Sequence, residues 1–349
     1  MLRSEFKVAF CYNMHPTTDE LKNAEVFAEF DSKDTINAVT NSIKELGFQI
    51  FLVEFDDDFV ENLKSINPNL VFNIVEGFQG EDRESQAPAI YEFLGIPYTG
   101  STPMGHMFGL DKIMAKRVME HNGVQTAPFQ VFDTPIDGSL DFSVGFPAIV
   151  KPAHEGSSIG IHNDSVVNTL GELRKQVNHI INTYKQEALV EKYIIGREFN
   201  QAIIGNENPI QFPIVEIDYS YLPDDIGKFS SYEVKTTLDD PGSTICPADI
   251  TEEQEKRISA ATLAAYRACK VRDYCRIDLR MDEEGEIYIL ELNTIPGIAP
   301  GIEENNSMPK AVRVYGWTYT QMIGAIIEAA LERYDFDLDN NGSYNDKIK

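Results

Sequence analysis

The sequence predicts an α/β protein with α+β parts, folded as three subdomains of which the N-terminal one contains a parallel sheet. In the first hundred residues, apolar strands alternate with amphipathic helices, which is typical of an open parallel sheet covered by helices. A smaller unit of helices and strands follows. Near residue 280, two apolar strands are separated by a tight turn, which predicts an antiparallel hairpin.

We expect the N-terminal domain at residues 1–104. Its predicted strands are 7–12, 48–55 and 70–77, and its predicted helices are 34–47 and 84–95. In the first of these helices, Ile36, Val39 and Ile43 share one face, and Gly47 follows as a stop signal.

The central subdomain is expected at residues 105–190. It begins with an amphipathic helix at 111–123, and an apolar strand at 146–151 runs into a segment rich in glycine and serine. A helix at 170–184 and strands at 188–194 and 198–204 follow. The helix and strands indicate a small α+β unit.

The C-terminal subdomain is expected at residues 191–334. Its strands precede a helix that begins near Thr251, where Thr251 and Gln254 have the spacing of a capping box. The hairpin follows, and an amphipathic helix at 317–334 ends the fold. Residues 335–349 form a polar tail, which we interpret as a disordered terminus. It resembles a calcium loop, but Ile348 stands where that loop needs a bidentate glutamate.

Composition excludes several classes of partner. With a formal net charge of −26, the surface repels nucleic acid and anionic membranes, and we expect neither as a partner. The four cysteines lack a paired metal-ligand spacing, as expected for reduced thiols of a cytoplasmic protein. We see neither a signal peptide nor an apolar stretch of the roughly 20 residues needed to span a membrane.

The hairpin at 275–293 concentrates polar side chains among apolar ones. Arg276 and Asp278 alternate with core-type residues, and a turn centred on Glu284 and Gly285 puts Asp278 opposite Glu291 and Arg276 opposite Asn293. Opposed carboxylates repel each other unless a cation lies between them. Oxygen ligands of this kind suit Mg²⁺. The alternative is an exposed hairpin edge with solvated charges.

A second candidate site is the segment "KPAHEGSSIG" at 151–160. Lys151 ends a buried strand, and Gly156 and Gly160 allow a tight turn that presents N–H groups to an anion. This is not a P-loop, because the lysine precedes the glycines, and GxGxxG is absent. The alternative is an ordinary turn between two strands.

Three further stretches contain candidate nucleotide ligands. In "EKYIIGREF", Glu191 and Glu198 flank an apolar run that suits an adenine slot and a ribose, although both could be surface acids. Lys112 could equally be a solvated helix residue. Lys235 lies in a long polar stretch at 230–248, which is either an active-site lid or an ordinary loop.

Together these motifs resemble the ATP-grasp fold, and within it the D-alanine–D-alanine ligase family. The resemblance rests on "LDK" at 110–112, "FPAIVKPAHEGSSIGI", "EKYIIGREF", "YEVK" before "CPA", and "RIDL" followed by "ILELNTIPG". It covers residues from about 70 to 330. It implies an ATP-grasp core of two subdomains behind an N-terminal pre-ATP-grasp domain with a parallel sheet.

The resemblance also implies roles for individual residues. Lys112, Lys151 and Lys235 would contact ATP phosphates, beside the loop of Glu155, Gly156 and Ser158. The adenine slot would be lined by Glu191, Lys192, Tyr193 and Ile194, with Glu198 at the ribose. Two Mg²⁺ ions, replaceable by Mn²⁺, would be held by Asp278, Glu291 and Asn293. The catalytic residues would be Arg276 and the N–H of Gly297 at the oxyanion, together with Ser157 and Lys235.

The substrate residues depart from the family pattern. The family's N-terminal glutamate, which binds the ammonium of the first amino acid, has Glu29 as its nearest counterpart. The aromatic residue after the loop lysine is replaced by Thr236, and Ser307 is the candidate for the carboxylate of the second substrate.

The expected activity is ADP-forming ligation of two amino acids through an acyl phosphate, as in D-alanine–D-alanine ligases, with small molecules as partners. The resemblance also implies a homodimer and a role in peptidoglycan synthesis. The first alternative is the same chemistry on another acyl donor or nucleophile. The second is an ATP-binding protein without turnover, which the retained metal acids and Arg276 speak against.

Overall fold

The computed structural model describes residues 2–16, 25–223, 226–238, 240, 242–302 and 305–338, which form three sheets with helices packed on them. The α/β fold with a parallel N-terminal sheet is confirmed. The expected boundaries between subdomains stay a prediction, because two of the observed elements cross them. These are a helix at Pro103–Leu110 and a strand at Ala188–Lys192.

The N-terminal lobe is a parallel sheet covered on both faces. Its elements are β1 (Lys7–Tyr12), α1 (Lys33–Glu45), β2 (Gln49–Glu54), α2 (Phe59–Ile66), β3 (Leu70–Ile74) and α3 (Arg83–Leu94), with sheet order β2-β1-β3. The serine before α1, Ser32, caps it by accepting a hydrogen bond from the backbone N–H of Thr35 at 3.2 Å.

The central lobe is an antiparallel sheet with a helix on one face. Its elements are α4 (Pro103–Leu110), α5 (Lys112–His121), β4 (Phe129–Phe132), β5 (Ala148–Pro152), β6 (Val166–Val167), α6 (Leu170–Tyr184) and β7 (Ala188–Lys192), with sheet order β4-β7-β5-β6. The helix α4 was not predicted, because its two glycines and apolar run hide the helical period. Asp111 caps α5 through the N–H of Met114 at 2.9 Å.

The C-terminal lobe contains the largest sheet, ordered β11-β10-β8-β12-β13 with β9 beside β8. Its elements are β8 (Gly196–Ile204), β9 (Ile210–Gln211), β10 (Val215–Ile217), α7 (Tyr232–Thr236), β11 (Thr244–Ile245), α8 (Glu252–Ala268), β12 (Tyr274–Asp282), β13 (Ile287–Asn293), α9 (Ser307–Val314) and α10 (Tyr319–Arg333). The capping box at Thr251 and Gln254 is confirmed.

The last helix completes the hydrophobic core of the N-terminal lobe. Buried residues of α10, such as Ile323 and Ile327, belong to one core with Phe10, Phe72 and Ile43 of that lobe. Thr320 at the start of α10 donates a hydrogen bond to Glu45 at the end of α1, at 2.8 Å. The two ends of the described chain therefore pack together.

The predicted hairpin register is confirmed at the polar positions. Arg276 pairs with Asn293 and Asp278 pairs with Glu291. A β-bulge follows, because Leu279 pairs with Ile289 and leaves Leu290 extra. The turn residue Gly285 has a φ of 83°, the left-handed conformation that glycine adopts without steric cost.

The remaining expectations concern cysteines, membrane spans and the tail. All four cysteines are free, and Cys246 alone among them is not fully buried. Within the described ranges, none of the helices combines the length and apolarity required to span a bilayer. The polar tail and its resemblance to a calcium loop lie mostly outside the described residues, which end at 338.

Candidate active site

The sheets of the central and C-terminal lobes enclose a cleft of about 1270 Å³, including its open mouth. Every residue that the resemblance assigned to the nucleotide lines this cleft. These residues are Lys112, Lys151, Glu155, Gly156, Ser158, Glu191, Lys192, Tyr193, Ile194, Glu198 and Lys235. Arg276, Asp278, Glu291 and Ser307 line the same cleft.

The glycine and serine segment leaves the buried strand β5 and turns over the cleft. Gly160 has a φ of 72°, as expected, but Gly156 is not among the residues with positive φ. Ser157 and Ser158 take that conformation instead, with φ of 45° and 61°. Gly156 matters for a different reason: a Cβ there would overlap Oε1 of Glu29, so a larger residue would displace that carboxylate.

Glu191 is a buried counter-ion between two lysines. Its side chain is 2% exposed, and its two oxygens lie 2.6 Å from the Nζ atoms of Lys116 and Lys151. Burial opposes ionisation, but the two ammonium groups outweigh it and lower the pKa of Glu191 to about 2. Glu191 therefore holds Lys151 in place at the cleft wall, and its expected position in an adenine slot stays a prediction.

The part of the cleft beyond Glu191 is organised by Arg280, which is outside the predicted site residues. Its Nη1 donates to the carbonyl of Ile194 at 2.8 Å, and its guanidinium lies 4.8 Å from the ring centroid of Tyr193. Its Nε donates to Glu198 at 3.0 Å, and the hydroxyl of Tyr219 donates to the other oxygen of Glu198 at 2.9 Å. Glu198 is thus fixed in orientation at the cleft.

The paired acids of the hairpin line the same cleft, with Asp278 two residues before Arg280 on β12. The guanidinium of Arg276 donates two hydrogen bonds of 2.7 Å to the two oxygens of Asp278. Asn293 donates to Asp278 at 3.1 Å, and the Nζ of Lys112 lies 3.5 Å from Glu291. Burial opposes ionisation of Glu291, but Lys112 and Lys151 outweigh it and lower its pKa to about 2.

These donors fit a hard divalent cation. Two carboxylates and an amide on neighbouring strands offer oxygen atoms, which Mg²⁺ prefers. Glu291, with its lowered pKa, is ionised at neutral pH. Glu291 already stabilises one positive charge, because the ammonium of Lys112 lies beside it.

The polar stretch that contains Lys235 lies against the glycine and serine segment. Residue Ser158 donates to the carbonyl of Ser230 at 2.7 Å, and the N–H of Tyr232 donates to the carbonyl of Ile161 at 2.8 Å. His162 and Glu233 form a further contact of 2.9 Å. The helix α7 therefore joins the C-terminal lobe to the central lobe across the cleft, with Lys235 on the cleft side.

The four remaining predicted residues have different positions. Ser307 is buried at the start of α9 and accepts a hydrogen bond from Asn200 at 3.0 Å. Gly297 is exposed, and a Cβ there would crowd Asn306. Thr236 does not line the cleft; it is exposed, and its hydroxyl donates to the carbonyl of Tyr232 at 2.8 Å. Ser157 lines a neighbouring cavity.

That neighbouring cavity, which we call the acidic cavity, shares Lys112, Glu155, Gly156 and Glu291 with the cleft. It is also lined by three glutamates whose carboxylate oxygens lie within 4.8 Å of one another: Glu29, Glu76 and Glu84. Its volume is about 400 Å³, including the opening. The predicted Glu29 is thus brought to the site, together with two acids that were not predicted.

Arg83 holds Glu29 at the edge of the acidic cavity. Its Nη2 donates to Glu29 at 2.6 Å, and its Nη1 donates to the carbonyl of His154 at 2.8 Å. Glu155 is also close, with an oxygen 3.3 Å from Arg83. This arginine therefore ties the N-terminal lobe to the glycine and serine segment of the central lobe.

The residues that were missed give weak signals in the sequence. Lys116 is one helical turn after Lys112, a spacing that places both on one face, but its partner Glu191 is distant in the chain. Glu76 lies in the polar segment between β3 and α3, and Arg83 and Glu84 lie in the first turn of α3. Charged residues in a connecting segment or in the first turn of a helix are common, so nothing in the local sequence distinguishes them.

Comparisons with known proteins agree with this geometry. The family model described as "D-ala D-ala ligase C-terminus" matches residues 118–328. The D-alanine–D-alanine ligase of Psychrobacter sp. (strain PRwf-1) is 35% identical over 301 residues, which cover 86% of this chain and 85% of the relative. An uncharacterized protein, y4sG, of Sinorhizobium fredii (strain NBRC 101917 / NGR234) is 33% identical over 306 residues, covering 85% and 88%.

Solved structures with the same fold are also D-alanine ligases. The D-alanine–D-alanine ligase from Bacillus anthracis complexed with ATP has a TM-score of 0.71 at 23% identity, covering 95% of this chain and 99% of that one. The VanG D-Ala:D-Ser ligase from Enterococcus faecalis has a TM-score of 0.68 at 23% identity, covering 93% and 99%.

Proposed function

Because this chain belongs to the D-alanine–D-alanine ligase family, an ATP-grasp family of ATP-dependent ligases, we propose that it joins two amino acids and releases ADP and phosphate. A carboxylate oxygen of the first amino acid attacks the γ-phosphorus of ATP, and ADP leaves. The amine of the second then attacks the acyl phosphate, loses a proton and displaces phosphate. One observation carries the proposal: a single cleft brings together three lysines, a phosphate-type loop and two opposed carboxylates.

The first step needs the γ-phosphoryl group to be positioned and its charge compensated. Lys151, held by Glu191, and Lys112, beside Glu291, present ammonium groups to the cleft. We assign Lys235 to the same phosphates. Preplaced positive charge of this kind stabilises the charge that spreads over the transferred phosphoryl group.

We further propose that Asp278, Glu291 and Asn293 hold two Mg²⁺ ions, with Mn²⁺ as a replacement. Bound there, magnesium would neutralise charge on the phosphates. The chain's own contribution is to keep Asp278 and Glu291 directly opposed on β12 and β13. Arg276 fixes both oxygens of Asp278 and leaves that carboxylate oriented toward the cleft.

In the second step, negative charge develops on the carbonyl oxygen of the acyl group. We assign Arg276, with the N–H of Gly297, to this oxyanion. The role of Arg276 is supported by its position in the lining of the cleft, in direct contact with Asp278. Removal of one such donor typically reduces the rate by about 10²–10³. Ser307, buried at the N-terminus of α9, is proposed for the carboxylate of the second substrate.

D-alanine is the first candidate for both substrates, and its dipeptide would serve peptidoglycan synthesis in the cytoplasm. Homodimer formation is part of the same proposal. One observation favours a second candidate, the same chemistry on another acyl donor or nucleophile. Glu29 accepts a hydrogen bond from Arg83, and Thr236 lies outside the cleft, so the substrate pocket differs from the family pattern at both positions.

The test is substrate-dependent release of ADP from Mg²⁺-ATP. D- and L-amino acids are screened singly and in pairs, and the products are identified by mass. D-alanine alone giving ADP and a dipeptide would support the family's usual reaction. Turnover only with another pair would support the second candidate. Absence of ADP release with every amino acid and pair would overturn the ligase proposal.

A further inference from the structure

The carboxylate of Glu76 is the unexplained group in the acidic cavity. Its residue is 8% exposed and lines the cavity. Its backbone N–H is hydrogen-bonded to Asn13 at 3.0 Å. Among the described residues, however, its carboxylate has neither a hydrogen-bond donor nor an ion-pair partner. Buried carboxylates are normally paired, because desolvation of an unpaired charge is costly.

The two neighbouring glutamates are already engaged. Glu29 accepts hydrogen bonds from Arg83. Glu84 accepts a hydrogen bond of 3.3 Å from Thr294, whose hydroxyl is also 3.0 Å from the Nδ1 of His106. Both glutamates are held through Oε2 alone, so each keeps a second oxygen for a ligand, and Glu76 is the member of the cluster with both oxygens uncommitted among the described residues.

The neighbouring cationic side chains do not neutralise the negative charge of the three glutamates. Lys112 lines the cavity, but its ammonium donates to the carbonyl of Glu155 and lies 3.5 Å from Glu291. Arg83 is shared between Glu29 and Glu155. Three glutamates thus face the cavity with one paired guanidinium at their edge, and an additional positive charge would be stabilised there.

An ammonium group matches the three glutamates. One carboxylate oxygen from each lies within 4.8 Å of the other two, so a single cation between them can reach all three. Hydrogen bonds from an ammonium to a carboxylate are about 2.7–2.9 Å long. An ammonium also has three N–H donors, one for each carboxylate.

The position of the cavity indicates which other group the ammonium-bearing ligand has. The cavity shares Glu291 and Lys112 with the cleft, at the end where the acyl phosphate would form. A molecule with its ammonium at Glu76 can therefore place a carboxylate toward Arg276 and the phosphates. Resting on the proposed function, we infer that Glu76 is the specificity-determining residue that receives the ammonium of the acyl donor. Glu29 instead serves as the partner of Arg83.

The inference is tested by calorimetric titration in the presence of ADP and Mg²⁺. The probes are glycine and the two enantiomers of alanine and serine, each compared with the acid that lacks the amine: acetate, propanoate or 3-hydroxypropanoate. For at least one pair, the wild-type protein should bind the amino acid about 10- to 150-fold more tightly, the range expected for a hydrogen bond between charged groups. Glu76→Gln should abolish that difference while ADP affinity is unchanged.

Glu81→Gln is the matched control, because Glu81 is an exposed glutamate on the same segment that does not line the acidic cavity. It should retain the wild-type preference. Three results of the titrations would overturn the inference: no amine preference in the wild-type protein, a preference retained by Glu76→Gln, or one lost equally in Glu81→Gln. Loss of a Mn²⁺ ion from the nucleotide-free protein in Glu76→Gln, seen by electron paramagnetic resonance, would overturn it in favour of a metal site.

The outcomes separate this inference from the proposed function. ADP release driven by acids that lack an amine would leave an ATP-dependent ligase whose donor does not need Glu76. Conversely, amino acids could bind through Glu76 and yet drive no release of ADP. That result would support the ammonium site and contradict the proposed ligase activity.

Discussion

Glu191→Gln removes the buried charge between Lys116 and Lys151 while keeping the shape of the side chain. The wild-type carboxylate accepts two contacts of 2.6 Å, and the side chains of Glu191 and Lys116 are at most 2% exposed. Breaking a buried ion pair costs about 3–5 kcal/mol. We therefore expect the free energy of unfolding to fall by about 3–5 kcal/mol.

The variant should also acquire a characteristic pH dependence. Burial already lowers the pKa of Lys116, although Glu191 opposes that shift. Without the carboxylate, the pKa of Lys116 falls further in the folded state, while in the unfolded chain it keeps its ordinary value. The unfolded state then binds more protons at neutral pH, so the stability of Glu191→Gln should rise as the pH increases toward the ordinary lysine pKa.

The assay is urea denaturation followed by far-ultraviolet circular dichroism at neutral and alkaline pH. Lys116→Met is the control, because it leaves the neutral pair of Lys151 and Glu191 and should cost less than Glu191→Gln. A loss below about 1 kcal/mol in Glu191→Gln, as for an exposed ion pair, would refute the reasoning. So would a greater loss in Lys116→Met than in Glu191→Gln.

Three other substitutions test separate parts of the molecule. Arg276→Ala should reduce kcat for ADP release by about 10²–10³ and leave ATP affinity, measured by calorimetry, nearly unchanged; an equal loss of ATP affinity would count against the oxyanion role. Glu291→Gln should raise the Mg²⁺ concentration that supports half-maximal ATP binding by about tenfold or more, and an unchanged requirement would remove Glu291 from the metal site. Burial raises the pKa of Asp31 to about 7, so its folded form binds a proton more tightly than the unfolded chain, and Asp31 contributes a decline in stability between pH about 4 and 7. Asp31→Asn should remove that decline and gain up to about 4 kcal/mol above it; an identical pH profile of urea midpoints in wild type and variant would contradict this account.

The sequence predicted the hairpin because both of its signals are local. Alternation along 275–281 fixes which side chains share a face, and the short turn fixes which residues are opposed. Asp278 and Glu291 could therefore be paired without a structure. The bulge at Leu290 was not predicted, since one extra residue in an apolar strand leaves the pattern of residue types unchanged.

The acidic cavity could not be predicted because it is assembled from separate parts of the chain. Glu76 and Glu84 come from the end of one strand and the start of a helix, and Glu29 comes from the segment before α1. Each is an ordinary polar residue in its local context. The same holds for Lys116. The sequence of its helix is amphipathic, and that pattern gives no sign of the buried Glu191 that Lys116 contacts. Only the tertiary fold reveals that these charges meet.

The packing of α10 against the N-terminal lobe has a consequence for the order of synthesis. The strands β1–β3 and α1 leave the ribosome early, but the helix that covers their core is made only after residue 319. Until then, Phe10, Ile43 and Phe72 lack the apolar neighbours that α10 supplies. The core of these strands is thus closed only long after they are translated, and a nascent chain halted at the hairpin would expose this face to other chains and to chaperones.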